Sequence, residues 1–196
     1  MLDCLVGSEM CIRDRYMKGI IFTEFMDLVE EKFGLDALDQ LLSDAGDEGI
    51  YTSVGSYDHK ALVKLIVQLS KQTGIPAEEL QRVFGQSVFE NLYESLPERS
   101  SLQGCKNSLQ FIRLVEDYIH IEVKKLYQEA NPPRFEFISE TETEMIFDYK
   151  SARCMSHVCL GLIEGCAQHF DESLNIAMEN NDKSGNDVRF KVTVVG

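Results

Sequence analysis

The sequence predicts an α+β fold, with a helical N-terminal part and a four-stranded antiparallel sheet in the C-terminal part. Apolar residues recur every three or four positions up to residue 129, which indicates amphipathic helices. Asn131, Pro132 and Pro133 then stop the helical pattern, because proline has no backbone donor. Beyond the prolines, apolar and polar residues alternate, which indicates strands.

The N-terminal part contains several helical segments. A short apolar opening at Met17–Phe22 leads into the first of them, which should end before Gly34. The glycine-rich stretch Asp44–Tyr57 predicts a loop, and Pro76 marks a helix start. The spacing of apolar residues predicts helices over 25–33, 35–42, 59–71, 77–93 and 108–129.

The C-terminal part predicts four strands and one inserted helix. Phe135 and Phe137 alternate with charged residues, and Met145, Phe147 and Tyr149 would share one side of the next strand. Apolar positions over 155–166 predict a helix. The segments 174–178 and 188–195 predict the last two strands.

The composition excludes several classes of partner. The 196 residues carry a formal net charge of -14, so we expect no nucleic-acid partner and no membrane partner, because phosphate contacts require clustered Lys and Arg. No apolar run is long enough to span a bilayer. The six cysteines form no paired motif, so we expect reduced thiols in a cytoplasmic protein.

Two groups of residues could carry chemistry. His120 lies at the edge of an apolar stripe in the predicted 108–129 helix, where an imidazole could meet a buried metal or be an ordinary helix histidine. Tyr149, Ser151 and Arg153 would share one face of an extended backbone. Two hydroxyls and a guanidinium suit a pair of carboxylates, and they also suit ordinary hydrogen bonds at a strand edge.

The sequence gives little support for other catalytic or metal-binding motifs. The chain has no GxSxG nucleophile elbow and no phosphate-binding glycine loop. Gly161 and Gly165 lie in a helical stripe, where they would permit close packing or the close approach of a flat ligand. Cys154, Cys159 and Cys166 straddle several helix faces, so we interpret them as buried apolar cysteines rather than as a metal cluster.

Five short motifs occur in order from Met17 towards the C-terminus. They are Met17-Lys18-Gly19-Ile20-Ile21-Phe22, Ile119-His120-Ile121-Glu122-Val123, Pro132-Pro133, Tyr149-x-Ser151-x-Arg153 and Gly161-Leu162-Ile163-Glu164-Gly165. Together they resemble the heme nitric oxide/oxygen binding (H-NOX) family, which includes the sensor domain of soluble guanylate cyclase. The Tyr-x-Ser-x-Arg element, downstream of a histidine and a proline, is the most specific combination.

The resemblance implies a heme b (protoporphyrin IX iron) between the helical part and the sheet, with His120 as the iron ligand. It implies that Tyr149, Ser151 and Arg153 bind the propionates. Pro133 and Ile21 would contact the macrocycle. The family's distal-pocket positions correspond here to Phe25, Val88, Leu92, Val158 and Leu162.

None of these distal side chains carries a hydrogen-bond donor. Oxygen-binding members place a tyrosine at the position of Val158, so the resemblance implies nitric oxide (also carbon monoxide) as the ligand. Cys154 matches one zinc-ligand position of some bacterial members, but Met178–Phe190 offers no further cysteine or histidine, so we expect no zinc. Family members start at the position of Met17, so residues 1–16 would be a non-native or disordered extension and 17–196 the sensor domain.

The implied function is nitric oxide sensing by a bacterial protein that is not itself an enzyme. Nitric oxide on ferrous iron would weaken or break the bond to His120, and the conformational change would regulate a separate partner. That partner would be a histidine kinase or a cyclic-di-GMP enzyme. The alternatives are a heme-dependent enzyme that detoxifies nitric oxide or peroxide, and a heme carrier.

Overall fold

The computed structural model describes residues 16–96, 104–126, 131–183 and 185–195. It confirms the α+β fold, with a helical part followed by a four-stranded antiparallel sheet. No helix among these residues is both long and apolar enough to cross a membrane.

The helical part packs around a core of phenylalanine and aliphatic side chains, of which Phe22, Leu41 and Leu62 are fully buried. Its helices bury the apolar face that their spacing predicts. The elements are β1 (Tyr16–Lys18), α1 (Gly19–Phe33), α2 (Leu35–Ala45), β2 (Ser56–Asp58), α3 (His59–Thr73) and α4 (Ala77–Glu94).

The pairing of β1 with β2 was not predicted from the sequence. The two strands are antiparallel, with Met17 opposite Tyr57, and each has only three residues, which is too short for an alternating pattern to be recognised. Gly19 is required at this corner, because a Cβ atom there would lie 1.8 Å from the Thr52 carbonyl oxygen. The apolar opening is therefore divided between a strand and a helix.

The predicted helix over 108–129 is present but is not uniform. It consists of α5 (Ser108–Leu114), a π-helical segment (Val115–Ile119) and α6 (His120–Leu126), while the predicted end at Glu129 lies outside the described residues. The His120 N–H bonds the Val115 carbonyl five residues back. Such π turns are rare in helices and occur often at functional sites.

The C-terminal strands form one antiparallel sheet in the order β3-β4-β6-β5. Phe147 pairs with Phe190 and Tyr149 with Val188 across β4 and β6, and these residues face the buried side of the sheet. The predicted alternation is confirmed. The elements are β3 (Arg134–Glu140), β4 (Glu144–Lys150), α7 (Ser156–His169), β5 (Ser173–Asn180) and β6 (Asp187–Val195).

Helix α7 packs directly against α4 through glycines. A Cβ atom on Gly161 would lie 1.9 Å from the Arg82 carbonyl oxygen, and one on Gly85 would lie 2.2 Å from the Val158 carbonyl oxygen. Of the two roles that the sequence left open for Gly161, the structure therefore shows close helix packing. An ion pair between Arg82 Nε and Glu164 Oε2, at 2.8 Å, spans the same crossing.

Gly161→Ala should destabilise the fold, because the added methyl group collides with backbone that cannot move independently of the helix. We expect a loss of about 1 to 3 kcal/mol, as for overpacking of a tight interior, measured by urea unfolding. Gln168→Ala, at an exposed position of the same helix, should stay within about 0.5 kcal/mol of the parent. Equal unfolding midpoints for the two variants would contradict this account of the crossing.

Candidate functional site

His120 is held at the start of α6, directly after the π-helical segment. Its side chain is 12% exposed, and its Nδ1 atom lies 2.9 Å from Oε2 of Glu116. The His120 ring also meets the Phe135 ring edge-on, with centroids 5.3 Å apart. Because a carboxylate engages Nδ1, Nε2 is the ring nitrogen that could bind a metal.

Glu116 is a site residue that the sequence reasoning missed. Its Oε2 atom also accepts a hydrogen bond from the Phe135 N–H at 3.0 Å, so one oxygen joins the helix to β3. Burial by itself would raise the Glu116 pKa, but the hydrogen bonds from His120 and Phe135 outweigh it and hold the pKa below its usual range. The spacing of Glu116 and His120, four residues apart on a helix, was the available signal.

Ser151 and Arg153 lie together, although not on an extended backbone as predicted, while Tyr149 is buried in the core beneath the sheet and does not line their cleft. Strand β4 ends at Lys150, and the chain then turns, with the Arg153 N–H donating to Ser151 Oγ at 3.3 Å. Because the strand ends there, the prediction of a shared strand face is wrong. Ser151 and Arg153 both act to lower the pKa of the Tyr149 hydroxyl, against the larger effect of burial.

Arg153 ties three segments of the chain together. Its Nη2 atom donates to the Asn131 carbonyl oxygen at 2.7 Å and to the Tyr16 carbonyl oxygen at 3.0 Å. It also lines a cleft of about 380 Å³ with Ser151 and Pro132. Arg134, Lys150 and Asp187 line the same cleft, and Lys150 Nζ lies 3.7 Å from Asp187 Oδ2. With three cationic side chains to one carboxylate, its chemistry suits carboxylates.

This cleft is lined by neither His120 nor any of the predicted distal residues. The distal residues lie instead in the core of the helical part, where they form one apolar cluster. Within the described residues, His120 makes its hydrogen bond to Glu116 of the same helix and its ring contact to Phe135 of β3. The cluster contains all five predicted distal positions and Ile21: Phe25 and Val88 are buried, and Ile21, Leu92, Val158 and Leu162 are half-buried.

Two tyrosines of the same cluster carry hydroxyl groups that are already engaged. The Tyr51 hydroxyl donates to Asp47 Oδ2 at 2.6 Å, and the Tyr57 hydroxyl accepts the Thr52 N–H at 2.9 Å. Both rings stack or tilt against Phe22. Neither hydroxyl is thus directed at the predicted distal residues.

The remaining predicted positions are placed as follows. Pro133 is half-buried immediately before β3. Cys159 and Cys166 are buried as expected, but Cys154 is exposed, so the interpretation of three buried cysteines is wrong at that position. Cys154 follows the turn with a positive φ of 52°, and its thiol donates to Asn186 Oδ1 at 2.8 Å.

Comparison with known proteins decides the family. The chain matches the Haem-NO-binding (HNOB) family over residues 18–178. The chain belongs to the H-NOX family. Its members are heme-based gas-sensor domains. No curated protein matched the sequence.

Solved H-NOX structures share the fold. The Fe(II) unliganded H-NOX protein from K. algicida is 35% identical, with a TM-score of 0.85, and the match covers 92% of this chain and 97% of that one. An S. oneidensis H-NOX protein in the Fe(II)NO state is 24% identical, with a TM-score of 0.81 and coverage of 92% and 100%. The second likeness shows the fold alone.

Tyr149 should make this H-NOX chain sensitive to alkali. Its side chain is 4% exposed, and burial raises its pKa far above the ordinary value, although the Ser151 hydrogen bond and Arg153 oppose the rise. The folded chain therefore holds this proton more tightly than the unfolded chain does. The stability that Tyr149 contributes is fully present below about pH 10 and is lost as the pH rises beyond it.

We expect the free energy of unfolding of the parent to fall more steeply above about pH 10 than that of Tyr149→Phe, measured by urea titrations across that range. Part of the fall in the free energy of unfolding should remain in both proteins, because burial also raises the pKa of Tyr51. Parallel slopes for the parent and Tyr149→Phe would contradict the prediction.

Proposed function

We propose that this H-NOX chain is a nitric oxide sensor that holds heme b through His120, Tyr149, Ser151 and Arg153. The observation that carries the proposal is the presentation of His120. Its Nδ1 atom is bound by Glu116, so the ring is fixed with Nε2 as the nitrogen available to iron. A helix histidine held in this way is typical of a metal ligand.

The other residues fit the same cofactor. A protoheme needs apolar surface for its ring and cationic or hydroxyl donors for its two propionates. Ser151 and Arg153 line the cationic cleft, and Ile21 lies in the apolar cluster of the helical part. Helix α7 joins the helical part to the sheet, because Val158 packs into the helical cluster while Cys159 packs against the sheet.

Ferrous heme, when bound, would supply the iron at which nitric oxide binds, and His120 would hold that iron. The chain's own part is to connect His120 to the sheet. Since one Glu116 oxygen accepts from both the His120 ring and the Phe135 backbone, a displacement of His120 is transmitted to β3. Pro133 lies directly before that strand and would follow its movement. This gives a ligand-biased two-state element.

The distal cluster favours nitric oxide, and carbon monoxide, over dioxygen. Bound dioxygen develops negative charge and is retained by a hydrogen-bond donor, whereas nitric oxide needs none. Phe25, Val88 and Val158 have no donor groups, and the Tyr51 and Tyr57 hydroxyls are engaged elsewhere.

The proposal extends to a separate signalling partner in the bacterial cytoplasm. A histidine kinase or a cyclic-di-GMP enzyme fits a chain that is a sensor domain, and the net charge of -14 favours a basic docking face on it. We retain residues 17–196 as the sensor domain. Tyr16 pairs with Asp58, so strand β1 includes one residue of the proposed extension, and 1–15 lie outside the described residues.

His120→Gly should abolish stable heme binding, because the iron loses its protein ligand, and added imidazole should restore part of it. The Soret absorbance of purified protein, with and without imidazole, measures this. The matched control is His169→Gly, since the His169 Nδ1 atom also contacts a carboxylate, Glu90 Oε1, at 3.0 Å. A full Soret band in His120→Gly without imidazole would show that another residue binds the iron.

Val158→Tyr should slow dioxygen release from the ferrous protein, because it adds a hydroxyl donor to the distal cluster. A hydrogen bond to a partly anionic ligand contributes about 1.5 to 3 kcal/mol, which corresponds to roughly tenfold to hundredfold slower dissociation. Flash photolysis in air-saturated buffer measures the rate. Val158→Phe supplies the ring without the hydroxyl and should release dioxygen as the parent does; a long-lived oxygen complex in the parent would refute nitric oxide selectivity.

A further inference from the structure

The structure assigns Glu116 the role of a positioning residue for the heme ligand His120. Its carboxylate would fix which ring nitrogen of His120 carries the proton, and would set how firmly the imidazole donates to iron. The inference rests on the proposed function, since it concerns the same site. It adds a residue outside the five motifs by which the chain resembles its family.

The hydrogen-bond geometry determines the state of the ring. An ionised carboxylate can only accept hydrogen bonds, and Glu116 Oε2 lies 2.9 Å from His120 Nδ1. Nδ1 must therefore carry the hydrogen, which leaves the lone pair of a neutral ring on Nε2. Partner residues of this kind orient a ligand histidine and raise its basicity.

A second bond prevents Glu116 from turning away. The same Oε2 atom accepts the Phe135 N–H at 3.0 Å, and the Glu116 side chain is only 23% exposed. The carboxylate is thus held from the strand side, while the Phe135 ring limits the tilt of the imidazole from one edge.

Glu116 also lies within the π-helical segment Val115–Ile119. A π turn is less favourable than a regular helical turn and requires support from its surroundings. Glu116 connects this turn to the first residue after it and to β3. The residue that orients the imidazole therefore also stabilises the backbone from which His120 projects.

The test compares two substitutions of Glu116 in the full-length, heme-loaded chain. Glu116→Gln keeps an oxygen acceptor and removes the charge, whereas Glu116→Ala removes both. The control is Asp117→Asn, because Asp117 is the adjacent carboxylate but pairs with Arg113 instead, at 2.9 Å. Replacing the heme iron by a heavier isotope identifies the iron–histidine signal in the spectrum.

The first readout is the iron–histidine stretching frequency of the ferrous protein, measured by resonance Raman spectroscopy. It should be lower in Glu116→Gln than in the parent, lowest in Glu116→Ala and unchanged in Asp117→Asn. The second readout is the rate of heme transfer to an excess of apomyoglobin. It should rise about tenfold or more in Glu116→Ala, the usual cost of losing such a partner, and much less in Glu116→Gln.

The iron–histidine stretching frequency distinguishes a positioning role from a purely structural one. Glu116→Gln keeps both hydrogen bonds, so it should keep the stability of the fold while lowering this frequency. Frequencies and transfer rates in Glu116→Ala equal to those of Asp117→Asn would overturn the inference while leaving the proposed function intact. A parent spectrum without an iron–histidine mode that shifts with the iron isotope would overturn the proposed function, and this inference with it.

Discussion

The close crossing of α4 and α7 is the constraint on which the rest of the structure depends. Gly85 on α4 and Gly161 on α7 leave no space for a side chain between the two backbones, and the Arg82–Glu164 ion pair spans the same contact. Close-packed interiors tolerate little change in volume. Helix α7 is therefore fixed against the helical part and also lies against the sheet.

This placement gives α7 two different faces. Val158 joins the apolar cluster of the helical part, and Ile163 joins the core beneath the sheet. The helix follows the turn that carries Ser151 and Arg153, so the polar group and both apolar cores lie within a short length of chain. A cofactor with an apolar ring and an anionic edge requires this contrast.

Hydrogen bonds from two charged side chains connect the strands to other parts of the chain. Glu116 links His120 to β3 through one oxygen, and Arg153 links the turn after β4 to β1 and to Asn131. Both are charged groups bonded to backbone atoms, and such charge-assisted bonds are stronger than neutral ones. Movement of His120 would therefore reach strands rather than loops.

The sequence by itself determined the elements whose evidence is local. The three-to-four-residue spacing of apolar positions located the helices, and alternation located Phe147 and Tyr149 on one side of β4, because these periods follow from backbone geometry alone. The residue types at His120 and Arg153 also predicted a metal ligand and a group that binds carboxylates. Only the tertiary structure decided the short pairing of β1 with β2, the turn that gathers Ser151 with Arg153, and the bond from Glu116 to the Phe135 N–H. These features depend on contacts between segments distant along the chain or on a local break in regular geometry, and neither leaves a periodic pattern in the sequence.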